Sequence, residues 1–318
     1  MNGRASAVVW VGMLAVAAAD AGEPVLVATD AAFGSAMVYH IDPATAQVLS
    51  AVDLVGTGVT GRTPLAALAF DGGGRLLGFT PTTDNELYEV DRETGQATRG
   101  GRLGITAREG GMAIFADGTI YGTRTASPAR LFTINPATGR ATLGPTLIPA
   151  TDISGLGARG DGLLVGLDLR TTEGPPSLRA IDPETGETTV IAPLLPAIEL
   201  SDVGGLEIIE VGGVETGFYI VAGSAPESEA QLWRFDPYTG VQEPVGVIAG
   251  VGPVTGLAGL ACEACPADLD GDCEATIFDF LVLGNWIQAG DARGDVNGDG
   301  VVDLFDFLFF LNVFEDGC

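Results

Sequence analysis

The sequence predicts a mainly β chain, a five-bladed β-propeller closed by strand complementation, with a small helical unit after it. Three observations carry this prediction. One hairpin signature recurs five times at intervals of 49, 44, 47 and 54 residues, a period that with strands throughout means propeller blades. A strand-like segment, Thr255-Gly-Leu-Ala-Gly-Leu-Ala261, has the pattern of a blade's first strand, yet no blade follows it. An acidic loop is written twice near the C-terminus, 27 residues apart.

At the N-terminus, Arg4 precedes the apolar run Ala5 to Ala19, and Ala19-Asp20-Ala21 has the small-residue form of a cleavage site. Residues 1–21 are therefore read as a secretory signal. The run has 15 residues, short of the about 20 that span a bilayer, so no membrane span is expected after cleavage. The expected location is secreted or on the cell surface, where the four cysteines are expected to be paired.

The 318-residue chain carries a net charge of −27 and no lysine, and its last 57 residues hold thirteen acidic groups against one arginine. Such a surface repels phosphate backbones, which excludes nucleic acid as a partner.

The propeller-like repeat domain is placed at residues 22–261. Its signature is an apolar strand, a turn, and a second strand rich in Thr and Val. The turns are Asp42-Pro-Ala-Thr45, Asp91-Arg-Glu-Thr-Gly95, Asn135-Pro-Ala-Thr-Gly139, Asp182-Pro-Glu-Thr-Gly186 and Asp236-Pro-Tyr-Thr-Gly240. Asp or Asn accepts backbone N–H groups, Pro presets φ, and Gly takes the left-handed position. These aspartates are thus turn formers rather than catalysts. Upstream of four of the hairpins lies another strand pair, around Asp71-Gly, Asp117-Gly, Asp161-Gly and Gly212-Gly213. The first copy lacks a preceding strand, which Thr255–Ala261 is expected to supply, leaving no open edge.

Few motifs in this domain carry chemistry. Gly56-Thr-Gly-Val-Thr-Gly61-Arg62-Thr63 imitates a phosphate loop, but Arg replaces Lys and Pro64 precludes the helix. His40, the only histidine, has no second His or Cys beside it and is assigned a structural role. A glycosidase needs only two carboxylates, and Asp30, Asp84, Glu109, Asp152, Asp168 and Asp202 fall at strand ends or loops, with nothing to single out a pair. No catalytic residue is assigned.

The C-terminal unit, residues 262–318, is where the sequence speaks most directly of chemistry. Asp295, Asn297, Asp299, Asp303 and Asp306 occupy positions 1, 3, 5, 9 and 12 of a loop with Gly300 at position 6 and the Val301 carbonyl at position 7. Asp268, Asp270, Asp272, Thr276 and Asp279 repeat the spacing, with the Glu274 carbonyl at position 7. Alternating oxygens wrapped around one ion are a calcium cage, so two calcium ions are expected. In the first loop Cys273 replaces the position 6 glycine, where positive φ costs a side-chain-bearing residue about 1 kcal/mol. Each loop runs into an apolar segment, and nine of 24 aligned positions of the two copies are identical.

Two calcium loops without entering helices, each followed by a short helix, resemble a type I dockerin. The opening Cys265-Pro-Ala-Asp268 and closing Asp-Gly-Cys318 are similar to the bacterial GC-type dockerin anchor. The resemblance implies calcium-dependent docking onto a cohesin-like protein or other surface receptor, commonly in polysaccharide-degrading assemblies. Positions 10 and 11 depart from it, being Ile277-Phe278 and Leu304-Phe305 instead of small hydroxyl residues. Three cysteine pairings are possible. The favoured one joins Cys265 to Cys318 around the repeat, as the resemblance suggests, leaving Cys262 for Cys273. Expected roles are a tether plus a binding or presenting propeller. The alternatives are a polysaccharide-active hydrolase of O-glycosyl bonds on the same tether, and a structural surface-layer component.

Overall fold

The computed structural model describes residues 24–316 except 31–35, 57–64, 72–73, 82–84, 108–109, 125–127, 150–151, 170–174, 197–202, 222–228, 262–266, 268, 270–276 and 299. The expected leader, the Gly56–Thr63 loop beyond Gly56, and all four cysteines lie outside the described residues.

The described residues form five four-stranded antiparallel sheets. Blade 1 contains β1 (Val25–Asp30), β2 (Met37–Ile41) and β3 (Val48–Asp53). Blade 2 is β4 (Ala67–Phe70), β5 (Leu76–Phe79), β6 (Glu86–Val90) and β7 (Ala97–Arg102). Blade 3 is β8 (Met112–Ile114), β9 (Ile120–Arg124), β10 (Arg130–Ile134) and β11 (Ala141–Thr146). Blade 4 is β12 (Ile153–Ala158), β13 (Leu164–Asp168), β14 (Ser177–Ile181) and β15 (Thr188–Pro193). Blade 5 is β16 (Val203–Val211), β17 (Val214–Val221), β18 (Ala230–Phe235) and β19 (Gln242–Ile248).

The last strand, β20 (Val254–Leu260), pairs with β1 in the order β20-β1-β2-β3. It completes blade 1 from the other end of the domain, as the sequence anticipates. The inner strands then touch in a closed circle, β20 to β4 to β8 to β12 to β16 and back to β20. Thr255 Oγ1 adds a 2.7 Å hydrogen bond to the Leu65 carbonyl of the next blade.

Alternation explains why the blades stack. Successive residues of a strand point to opposite faces, and here both faces of a middle strand are covered by a neighbouring blade. Leu26 and Ala28 of β1 join Phe218, Ile220 and Leu232 of blade 5, whereas Val27 joins Leu68, Leu76 and Tyr88 of blade 2. Five such apolar clusters fill the five spaces between blades. The outermost strands are the most exposed, and Pro145, Pro193 and Pro244 occur only there, where a missing N–H costs no ladder bond.

The turns behave as their chemistry requires. Asp91, Asn135, Asp182 and Asp236 each accept two backbone N–H groups, as from Glu93 and Thr94 at 3.0 and 3.1 Å to Asp91. The Thr94 and Glu93 bonds hold Asp91 below the usual carboxylate range. Gly95 has φ +69°, and a Cβ there would lie 2.1 Å from the Asp53 carbonyl of the preceding blade. Glycine is thus required both for its backbone and for close blade approach. At the seam between blades 5 and 1 this position is Ala46, with φ 61°. There Gly246 of β19 faces it, and a Cβ on Gly246 would sit 3.3 Å from that of Ala46.

The C-terminal unit has two helices, α1 (Ile277–Ala289) and α2 (Leu304–Asp316). A single 3₁₀ turn, Ala292–Gly294, precedes the second loop. Each helix has 13 residues, and their starts are 27 apart, the interval of the sequence repeat. Their small core is built from equivalent positions of the two copies: Leu269 with Val296, Phe280 with Phe307, and Leu283 with Phe310. The Phe280 and Phe307 rings lie 5.2 Å apart. Arg293, the unit's one cation, is 2.6 Å from Asp291 and lies over the Trp286 ring at 4.9 Å.

Candidate metal centre

In the second loop, glycine makes the curl and carboxylates close it. Gly298 and Gly300 have φ +73° and +86°, with open space where a Cβ would stand, so they are needed for backbone conformation and not for packing. Asp295 Oδ2 accepts the Gly300 N–H at 2.8 Å, linking positions 1 and 6. Asp303 Oδ1 accepts the Phe305 N–H at 2.7 Å, capping α2. Asp306 reaches back from the first turn of α2, accepting the Asn297 N–H at 3.3 Å and the Asp303 N–H at 2.8 Å. Positions 3, 9 and 12 are therefore joined through one carboxylate. Its exposure is 0%.

Asp279 repeats the arrangement in the first copy. It is also 0% exposed, and it accepts the Leu269 N–H of its loop at 2.6 Å. A fully buried carboxylate at the start of a helix is costly unless strongly paired, and two equivalent ones are a property of the repeat. Asp268, Asp270, Asp272, Glu274, Thr276 and Asp299 lie outside the described residues. Among the described residues no three acidic, His or Cys side chains stand together as a metal cage. The residues present nonetheless suit calcium, which takes about 6–8 oxygens in a flexible shell. A glycine in the left-handed region stands at position 6, a carboxylate starts the loop, and a buried one ends it.

Both helices also leave apolar side chains in solvent. Leu304 and Phe305 are 69% and 64% exposed, and Leu308, Phe309 and Leu311 continue that face of α2. Ile277 and Leu281, the equivalents of Leu304 and Leu308, are exposed on α1.

In the propeller, the carboxylates singled out at strand ends have structural partners where they are described. Asp30 accepts the Met37 N–H and the Tyr39 hydroxyl, each at 2.9 Å. Asp168 pairs with Arg179 at 2.6 Å and accepts the Asp152 N–H at 3.1 Å. Asp152 is exposed, and Asp84, Glu109 and Asp202 lie outside the described residues. His40 is buried on β2 with Nδ1 bonded to Ser50 Oγ, and burial keeps it below its ordinary pKa despite nearby Glu93. That agrees with a structural role.

The carboxyl that sequence reasoning passed over is Glu207, at one mouth of the central channel. It projects from β16 into a cavity of about 360 Å³ lined by Ala69, Phe70, Ile114, Phe115, Ala158 and Leu260, among others. Its Oε1 accepts the Ile208 N–H at 3.0 Å, and its Oε2 the Gly259 N–H of the closing strand at 3.2 Å. A Cβ on Gly259 would lie 2.7 Å from Ile209 Cγ2 and 2.8 Å from Glu207 Cγ, so the strand passes close here only as glycine. Burial pushes the Glu207 carboxyl up to about 8, against those two amides, which lower it.

No protein-family profile matches the chain, and no curated protein sequence is significantly similar to it. Solved structures that it resembles include TolB from Acinetobacter baumannii, at 11% identity and TM-score 0.42, covering 75% of this chain and 66% of that one. Virginiamycin B lyase from Staphylococcus aureus matches at 12% identity and TM-score 0.39, covering 65% of each chain. The Malassezia sympodialis allergen Mala s 1 matches at 14% identity and TM-score 0.46, covering 70% of this chain and 75% of that one. This chain spans just under two thirds of the length of the first two. Likeness at this level carries no argument about activity, and the architecture of the chain rests on its own five closed sheets.

Proposed function

We propose that this is an exported protein that docks through a calcium-loaded, dockerin-like C-terminal unit onto a cohesin-like or other surface partner, while the propeller binds or presents. The observation that carries this reading is the pair of fully buried carboxylates, Asp279 and Asp306, at the same place in two loop-helix copies. Asp268, Asp270, Asp272, Glu274, Thr276 and Asp279 are assigned to the first ion, and Asp295, Asn297, Asp299, Val301, Asp303 and Asp306 to the second. Calcium supplies the positive charge that offsets repulsion among these carboxylates. The exposed apolar side chains of α1 and α2 provide the surface for the partner. The proposed Cys265–Cys318 and Cys262–Cys273 bonds hold the ends of the unit.

The test is capture with the full chain as bait for surface extracts of its own cell, in calcium and in chelator. Recovery of one protein in calcium alone supports the tether. Equal recovery in both buffers, or none in either, overturns it.

The second reading, an O-glycosyl hydrolase on the same tether, is favoured by Glu207, a carboxyl kept protonated at neutral pH as a general acid must be. It needs a second carboxylate across the scissile bond. Of those on the same wall, Asp71 is held by Arg75 at 2.7 Å, and Glu215 binds the Tyr238 hydroxyl and the Gly160 N–H. Glu210 is left for that part. Release of reducing sugar from a polysaccharide by the full chain, lost in Glu207→Gln, would establish this reading; no release from a polysaccharide panel removes it.

A further inference from the structure

The mouth of the channel has a form that neither tether nor hydrolase requires. Hydrocarbon lines part of it, from Ala69 and Phe70 at the end of β4, Ile114 and Phe115 at the end of β8, Ala158 of β12 and Leu260 of β20, and the carboxyls of Asp71, Glu207, Glu210 and Glu215 line it as well. Of these carboxyls, Glu207 stands in the middle of an inner strand, between Leu206 and Ile208. It has a bland explanation, since it satisfies the Gly259 amide on the free edge of the closing strand. That task needs a single acceptor oxygen, and a neutral amide or hydroxyl would perform it without placing an ionisable group among apolar strands.

We infer that this cavity is a binding site for a small quaternary ammonium, with Glu207 as its counter-ion and Phe70 and Phe115 on its walls. Three features select that chemistry. A methylated ammonium has a hydrocarbon surface that suits the walls, and its charge is diffuse enough to be desolvated beside aromatic rings. It donates no hydrogen bond, so Glu207, whose two oxygens already accept the Ile208 and Gly259 amides, serves it by charge alone. A divalent metal asks for several oxygens, and among the described residues no three acidic, His or Cys side chains stand close enough together to hold one. The remaining ionisable groups at the cavity are Asp71, Glu210 and Glu215, with Arg75 paired to Asp71 and nearby Arg159 paired to Asp161. In a chain of net charge −27, the approach to this mouth favours a cation.

The empty site keeps its proton at neutral pH because burial raises the Glu207 pKa to about 8. Binding a cation stabilises the carboxylate, so complex formation releases a proton, and affinity rises with pH until about 8. Below that value the rise approaches about tenfold per pH unit.

The experiment is calorimetric titration of the full chain with tetramethylammonium and, separately, choline at pH 6.5, 7.5 and 8.5, in two buffers of different ionisation heat. One site is expected, about tenfold tighter at pH 7.5 than at 6.5, with proton release that vanishes well above pH 8. Glu207→Gln should weaken binding at least tenfold and abolish its pH dependence, while Glu184→Gln, on an exposed turn outside the cavity, should change it less than threefold. No binding at any pH, binding independent of pH, or a Glu207→Gln affinity equal to that of the unaltered chain would overturn the proposal. If Glu207→Gln fails to fold, the pH series on the unaltered chain decides alone. Because the readout is binding without turnover or calcium, its failure is separable from failure of either reading above.

Discussion

The propeller turns and the C-terminal loops use the same residue, aspartate, to opposite ends. A propeller turn contains one aspartate or asparagine at its head and two local donors aimed at it, the Glu93 and Thr94 amides at Asp91, the Ala44 amide and Thr45 hydroxyl at Asp42. Its charge is satisfied within five residues. The second C-terminal loop places Asp295, Asp299, Asp303 and Asp306 within twelve residues. Among the described residues, Asp295, Asp303 and Asp306 accept the N–H groups of Gly300, Phe305, Asn297 and Asp303. One aspartate met by local amides makes a turn; four within twelve residues repel one another, and that repulsion is the basis of the proposal that the loop takes a cation. The two regions also differ in what closes them. β20 closes the propeller with backbone bonds and apolar contacts, whereas a three-residue core, Ala267, Leu283 and Phe310, is all that is fully buried among the described apolar residues of the C-terminal unit. Cores this small are generally supplemented by a staple or a metal, the role we propose for calcium here.

The sharpest way to break this contrast is chelation. Removing calcium should melt α1 and α2 while leaving the propeller's β signal intact, seen as loss of helical circular dichroism without loss of the main thermal transition. Asp306→Ala should lower affinity for one ion by at least about 100-fold, since it removes both the closing ligand and the acceptor of two loop amides. Simultaneous melting of both regions would show that they are not independent.

Next in size is a propeller glycine. Gly95→Ala places a methyl 2.1 Å from the Asp53 carbonyl at φ +69°, and should cost roughly 2–4 kcal/mol in the propeller transition while leaving calcium binding unchanged.

A third effect follows pH. The folded-state pKa of Glu207, about 8, exceeds its ordinary value of 4.5, so the native state holds more protons than the unfolded one between these values. Propeller stability should therefore fall as pH rises from about 4.5 to about 8. Glu207→Gln should flatten that slope; a slope that persists in the variant would assign it elsewhere.

The smallest change tests the seam. Ala46→Gly relieves a side chain at φ 61° but removes a buried methyl, so the net effect should stay within about 1 kcal/mol. A larger loss would mean that the Ala46 methyl facing Gly246 is itself part of ring closure.

These contrasts track what sequence reasoning could see. The turns were legible because Asp, Pro and Gly act on backbone within five residues. So was the closing strand, since Thr255-Gly-Leu-Ala-Gly-Leu repeats the composition of Ile153-Ser-Gly-Leu-Gly and the first blade visibly lacked it. Glu207 was not, because its setting depends on β4, β8, β12 and β20 arriving at one mouth, over sequence separations that no local pattern records. The signal available was a carboxylate inside Leu206-Glu-Ile-Ile, with apolar residues immediately on both sides. Asp30 and Asp168 drew attention by standing at strand ends, and both proved to be tied to Tyr39 and Arg179. Chain position alone does not distinguish a carboxylate awaiting a ligand from one already matched.

The most direct test of the account is a calcium titration of the full chain by calorimetry, repeated with Asp279→Ala and with Asp306→Ala. The account predicts two ions for the unaltered chain and one for each variant. Absence of calcium uptake, or uptake of two ions by both variants, would contradict it.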